Sequence, residues 1–179
     1  MGTNRLLLLL KGQMKKILTL SGSLRPQSSS HKILQIATAL LPADVAIDDS
    51  ADIGSLPHFD GSDTPPPAVA RFLQQIQQAD GVLICIPEYA FGVPGAFKNA
   101  LDWTVGSGEF SEKRVTYLTA ASVGEKAHES LGHILTALGA TVTGALRIPF
   151  IRAKLTPEGV VKDPALRESI RATVSSLLV

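Results

Sequence analysis

Residues 81 to 87 read GVLICIP, an apolar run with no break between a glycine and a proline. A strand covered on one face alternates polar and apolar residues, whereas an unbroken Val, Leu and Ile run of this length fits a strand buried on both faces of a parallel sheet. Similar elements flank it on either side. Upstream, Ile17 to Leu20 is a short β-compatible run, followed by Ile33, Leu34, Ala37, Leu40 and Leu41 at helical spacing, with Pro42 closing that helix. DVAIDDS from Asp44 predicts an edge strand, and a long polar loop follows. Thr64 predicts an N-cap, with Pro65, Pro66 and Pro67 in the first turn of a helix that presents Val69, Phe72, Leu73 and Ile76 and ends near Ala79. Downstream, the loop PEYAFGVPG leads into a short helix over AFKNALDW, and RVTYLTA from Arg114 supplies another buried strand. After the loop ASVGEKA, a helix bearing Leu131, Ile134, Leu135 and Leu138 stops at Gly139, TVTGALRI forms the last strand, and DPALRESIRATVSSLLV from Asp163 a final helix. This alternation predicts an α/β fold. Right-handed crossovers put helices on both faces of a parallel sheet.

The chain has 179 residues, 45% of them apolar, which suits one well-buried core rather than two domains. Seventeen basic against sixteen acidic residues leave a formal charge of +1 and no broad field for nucleic acid or an acidic membrane surface. Any anion must be held locally. The single cysteine, Cys85, excludes an internal disulfide and a cysteine-rich zinc site and fits a reducing, cytoplasmic setting. Leu6 to Leu10 is shorter than a secretory signal core and is followed by Lys11, Lys15 and Lys16 without a small-residue cleavage site. The expected single domain therefore spans 14–179, with 1–13 an extension, disordered or upstream of a natural start at Met14.

Between the first strand and its helix stands SGSLRPQSSSHK, residues 21 to 32, with five serines around Arg25. One serine would suffice to cap the helix. The surplus hydroxyls, the guanidinium and the free amides of a helix amino terminus together describe an anion site, and phosphate is its natural guest. Gly22 stands alone, so no G-x-G-x-x-G turn for a dinucleotide is present, and no G-K-[ST] follows for a triphosphate. Cys85 lies inside an apolar strand, away from the serine loop, where a phosphatase nucleophile would be needed. A monophosphate held by hydroxyls, arginine and backbone remains, and flavin mononucleotide (FMN) fits it. In the second loop, Pro87, Gly92, Pro94 and Gly95 constrain a turn whose amides must face a flat ligand, with Tyr89 and Phe91 as candidates to flank a ring. Phe97 and Trp103 are better read as core or subunit-contact residues.

SGSLRPQSS after the first strand, IPEYAFGVPGAFKNALDW after the third, and this order of elements closely resemble the NADPH-dependent FMN reductase family of flavodoxin-like proteins. The likeness runs from about Lys15 to Leu178, and the second motif is the more discriminating. It implies a flavodoxin-like three-layer sandwich with a five-stranded parallel sheet in the order 2-1-3-4-5. By matching position, Ser23, Arg25, Ser28 and Ser30 become the FMN phosphate loop; Pro87, Glu88, Tyr89 and Ala90 become the wall beside the isoalloxazine, acting largely through backbone N–H groups; Ser122 and Gly124 lie towards its pyrimidine end. Two departures are visible: the family often has Asn where this chain has Ser30 and Ala90, and Ala90 keeps only a backbone donor, so reduced flavin affinity is expected. The third loop also looks shorter than the family's.

The resemblance further implies hydride transfer from NADPH or NADH to bound FMN, then electron transfer to a small acceptor such as a quinone, free flavin, azo compound or metal oxyanion. No catalytic acid, base or nucleophile is required of the protein, and none is assigned. A homodimer or homotetramer is implied, with the AFKNALDW helix a candidate contact surface. The competing reading is a flavodoxin-like electron carrier that needs a partner reductase; a third is a regulatory module that has lost its flavin. His128 and His133 stand five apart on one helix and diverge, while His31 and His58 occupy loops or termini, so no metal-ligand spacing emerges. His58 sits in the long loop, within possible reach of the flavin edge.

Overall fold

The computed structural model describes residues 14–179; the expectations for 1–13 lie outside the described residues. GVLICI forms β3 (Gly81–Ile86), with all six residues buried, at the centre of a five-stranded sheet. Its neighbours are β1 (Lys16–Ser21), β2 (Ala46–Asp48), β4 (Arg114–Ala120) and β5 (Thr141–Ile148). The order is β2-β1-β3-β4-β5 and every pairing is parallel, as the resemblance implied. Side chains alternate across each strand, so Val82, Ile84 and Ile86 enter one core while Leu83 and Cys85 enter the other. Helices α1 (Ser29–Thr38) and α6 (Pro164–Ser175) cover the second face; α2 (Pro67–Gln78), α3 (Gly95–Asp102) and α4 (Glu125–Ala137) cover the first. Each fully buried Leu or Ile contributes about 1.5–3 kcal/mol, which makes the two apolar layers the principal source of cohesion.

The register pairs Ser21 with Cys85, Ile86 with Thr119 and Ala120 with Ile148. The carboxyl ends of β1, β3, β4 and β5 therefore lie level, and their loops emerge side by side.

Several boundaries differ from expectation for identifiable reasons. Helix α2 starts at Pro67, not after Thr64, with Pro66 as an N-cap lacking a side-chain hydrogen bond. A residue followed by proline is pushed out of the helical region, and Pro66 has ψ 156°, so the helix waits for the last proline of the run. Helix α1 stops at Thr38, although Leu40 and Leu41 stay buried in the turn beyond it. A four-residue helix, α5 (Ile151–Lys154), follows β5 and carried no periodic signal of its own. In α3, Phe97, Ala100 and Leu101 are buried in the chain's own core, so that helix does not present the expected apolar contact surface. Trp103 is buried too: its Nε1 donates to the Pro57 carbonyl at 2.9 Å, and Asn99 donates to the same carbonyl at 2.9 Å while accepting from the Phe59 amide at 2.8 Å. These bonds pin the long loop to α3.

Candidate functional site

The level strand ends build a cleft of about 740 Å³, lined from the loops after β1, β3, β4 and β5. Arg25, Ser28, Ser30, Pro87, Glu88, Tyr89 and Ser122 all reach it; Ser23, Ala90 and Gly124 do not line it. Phe91 and His58 also lie outside its lining.

Hydroxyls set the shape of the β1–α1 loop. Ser21 Oγ accepts from the Ser23 amide at 3.2 Å, and Ser23 Oγ, itself buried, accepts from the Arg25 amide at 3.2 Å. Ser28 is the N-cap of α1, and its Oγ accepts from the His31 amide at 3.3 Å. The Ser28 amide is taken by the Arg25 carbonyl, which leaves the Ser29 and Ser30 amides ahead of the helical ladder. Ser30 is fully buried beside the Cys85 thiol, a weak partner, and its Oγ has no hydrogen-bond partner among the described residues. Buried hydroxyls are nearly always bonded, and this one, with no exposed surface, has only the Cys85 thiol beside it; the helix-terminal amides are the donors this wall leaves over. The cluster thus both caps the helix and leaves donors over. Cys85 cannot act as a nucleophile, because burial pushes its thiol far above the usual range.

Opposite, Tyr89 and Gly92 exchange two backbone hydrogen bonds, of 3.1 and 3.0 Å, closing a turn with Ala90 at φ 48° and Phe91 at φ 58°. Such turns favour Asn or Gly at left-handed positions, so Ala90 carries backbone strain where an Asn would carry less. Both tip amides stay outside the Tyr89–Gly92 pair, and Phe91, 79% exposed, projects from the tip.

Glu88 joins two walls. Its Oε1 accepts from the Gly124 amide at 3.2 Å and its Oε2 from the Ala127 amide at 3.0 Å. Gly124 is the N-cap of α4, has φ 78° and no side chain of its own to cap with, so Glu88 supplies the cap from the neighbouring loop. A Cβ on Gly124 would lie 3.1 Å from Thr119 Cγ2 and 3.2 Å from Ala121 Cβ. Glu88→Ala is expected to cost about 1–2 kcal/mol in urea unfolding, with Glu88→Gln recovering part of it; equal stability of wild type and Glu88→Ala would refute the cap.

On the same helix, His128 Nδ1 sits 2.9 Å from Thr119 Oγ1 and its ring packs on Tyr117 at 4.7 Å between centroids. Burial first, then the Arg147 charge, lower its pKa below the ordinary 6.5. The folded state disfavours the imidazolium, so this contribution to stability is complete above about pH 6.5 and is lost as pH falls from there towards the folded value. The unfolding midpoint should drop more steeply between pH 7 and 5 in wild type than in His128→Gln; parallel curves would contradict this.

Sequence reading overlooked the loop after β5. The Phe150 amide donates to the Ser122 carbonyl at 3.0 Å and the Ile151 amide to the Ala121 carbonyl at 3.2 Å, which brings Phe150 and Arg152 to the cleft; Lys32 enters from α1. The rule that ligands sit beyond strand carboxyl ends applies equally to β5, so IPFIRAK at its end was the available signal.

The model of the NADPH-dependent FMN reductase family matches residues 15–150 of this chain. The chain belongs to that family. Among FMN reductase relatives, a NAD(P)H-dependent FMN reductase of Pseudomonas aeruginosa is 39% identical over 112 residues, 60% of each chain. A 2-hydroxy-1,4-benzoquinone reductase of a Burkholderia species is 46% identical over 90 residues, 49% of each chain. The matches thus span about half to three-fifths of these relatives' length. In fold, the chain is similar to the solved structure of FerB, a flavoenzyme NAD(P)H:(acceptor) oxidoreductase of Paracoccus denitrificans, with a TM-score of 0.72 over 92% of this chain and 95% of the other at 24% identity.

Proposed function

We propose that this chain holds FMN in the cleft and acts as an FMN-dependent NAD(P)H oxidoreductase serving a small acceptor such as a quinone, free flavin, azo compound or metal oxyanion. The observation that carries the reading is the amino terminus of α1, whose free amides stand on a cleft wall that also presents Arg25 and the Ser28 hydroxyl. Ser28, Ser30 and Arg25 hold the phosphate, with Ser23 fixing the Arg25 amide. Pro87, Glu88 and Tyr89 form the wall beside the flavin ring, with the Ala90 turn beyond it, and Glu88 keeps that wall in register with α4, near Ser122. When bound, FMN supplies the redox chemistry, accepting two electrons from the nicotinamide and releasing them to the acceptor. The protein's share is placement and electrostatics.

NADPH is the proposed donor, with NADH the alternative. Lys32 and Arg152 line the cleft outside the serine loop, and among the described residues neither forms an ion pair, which leaves them free for a second phosphate. Relatives named quinone reductases make a quinone the first acceptor to try. A homodimer or homotetramer is supported by Tyr89, Phe91, Val123 and Phe150, exposed apolar residues around the mouth of the cleft. The reducing cytoplasm suits the lone buried thiol, and no helix among the described residues is long and apolar enough to cross a membrane.

The test is anaerobic mixing of the FMN-loaded protein with NADPH while following visible flavin absorbance. Bleaching far faster than that of free FMN is expected. Binding without bleaching by NADPH or NADH would favour the electron-carrier reading, and no FMN uptake would overturn both.

A further inference from the structure

His31 sits behind the serine loop, half-buried, between the cleft and a separate cavity of about 160 Å³. Its Nδ1 lies 2.9 Å from Ser28 Oγ and 3.2 Å from Ser21 Oγ, and which partner donates depends on whether Nδ1 carries a proton. Ser28 Oγ already accepts the His31 amide, so only its own proton and one lone pair remain to be assigned. Ser21 Oγ accepts the Ser23 amide and has a second outlet for its proton, the Ser23 carbonyl at 3.3 Å. Without a proton on Nδ1, the Ser28 hydroxyl turns inward to donate to the ring and shows a lone pair to the cleft, which repels an anion. With one, the ring donates to Ser28 and the hydroxyl proton is free to face the cleft.

We propose that His31 is a positioning residue that couples phosphate binding to proton uptake: a proton on Nδ1 turns Ser28 from a donor to the ring into a donor to the ligand's phosphate. The neutral Nδ1–H tautomer makes the same switch without a proton from solvent, but a dianion in the cleft favours the positive imidazolium over either neutral tautomer, so binding draws a proton from solvent. The charged groups around the ring are Asp49, which lines the same cavity from beyond β2 and supports the imidazolium, and Arg25 and Lys32 on the cleft side, which oppose it. Asp48 is paired with Lys16 at 2.9 Å, and Thr19 and Ser21 of β1 bring no charge. The inference rests on the FMN reading above.

Calorimetry of FMN binding at pH 7.5, in buffers of different ionisation heat, counts the protons taken up; there the ligand's phosphate, with a second pKa of about 6, is already mostly dianionic. Net uptake is expected for wild type with FMN and none with riboflavin, which lacks the phosphate. FMN affinity should fall about tenfold from pH 6.5 to 8.5 in wild type, whereas in His31→Gln it should stay level or rise slightly, because over that range the ligand's phosphate only becomes more dianionic. FMN binding by wild type without proton uptake, or an unchanged pH dependence in His31→Gln, would overturn the coupling and leave the FMN reading intact. Absence of FMN binding by wild type at any pH would overturn both. The wild-type proton count needs no variant to fold.

Discussion

Arg25→Ala is expected to weaken FMN binding about tenfold to a hundredfold while leaving the apoprotein's urea midpoint unchanged. The guanidinium lines the cleft, is exposed, and forms no ion pair among the described residues. Truncating it leaves no intramolecular partner unsatisfied, so folding loses little. The complex, in contrast, loses a charge-assisted hydrogen bond to a phosphate, of the kind that contributes about 1.5–3 kcal/mol, and each 1.4 kcal/mol is a factor of about ten in affinity. The loop itself should persist, because its shape comes from the Arg25 backbone: the amide donates to Ser23 Oγ and the carbonyl accepts from the Ser28 amide. Arg25→Lys should fall between, since an ammonium offers a point charge without the planar fork. Fluorescence titration with FMN and riboflavin separates the phosphate contribution from ring binding. An equal loss for both ligands, or none for FMN, would remove Arg25 from the phosphate site.

Gly22→Ala is expected to cost about 1–3 kcal/mol of stability by overpacking, and Gly22→Val more. Gly22 follows β1 directly, and its amide donates to the Cys85 carbonyl at 2.8 Å, which holds it against the end of β3. A Cβ there would lie 2.6 Å from Ile86 Cγ2, 2.9 Å from Ile86 Cβ and 3.1 Å from Ile86 Cα. The last of these is backbone, so no side-chain rotation relieves it. Relief requires β1 and β3 to part where Pro87 and Glu88 begin, so flavin uptake should fall along with stability. Urea unfolding of the apoprotein and FMN titration together test this; wild-type values in both would mean that the strands part at negligible cost.

Hydrophobic patterning revealed most of this protein before any tertiary contact was considered. GVLICI announced a doubly buried strand because both faces of β3 pack against helices, and composition alone produces that run. Ser28 and Arg25 were legible because a surplus of hydroxyls beside a guanidinium exceeds what a helix cap needs. Glu88 was legible only as one residue of the wall beside the isoalloxazine, because a lone carboxylate in a loop names no partner. Its partners, the Gly124 and Ala127 amides, are 36 and 39 residues away in sequence. Gly22 served only to exclude a dinucleotide motif, since its distance to Ile86 depends on strand pairing. Lys32 and Arg152 escaped notice for the same reason, being ordinary charged residues until sheet order places them at one cleft.

Residue order by itself determined the alternation of strands and helices and the parallel sheet, and made the first loop a candidate anion site, because these follow from local periodicity and local chemistry. Tertiary structure alone decided that Glu88 caps α4, that Ser30 keeps an unpartnered hydroxyl, that the apolar side of α3 is buried in the chain's own core, and that His31 stands behind Ser28 and Ser21. Each depends on atoms brought together across the sheet or within a folded loop, at hydrogen-bond distances that no one-dimensional pattern encodes.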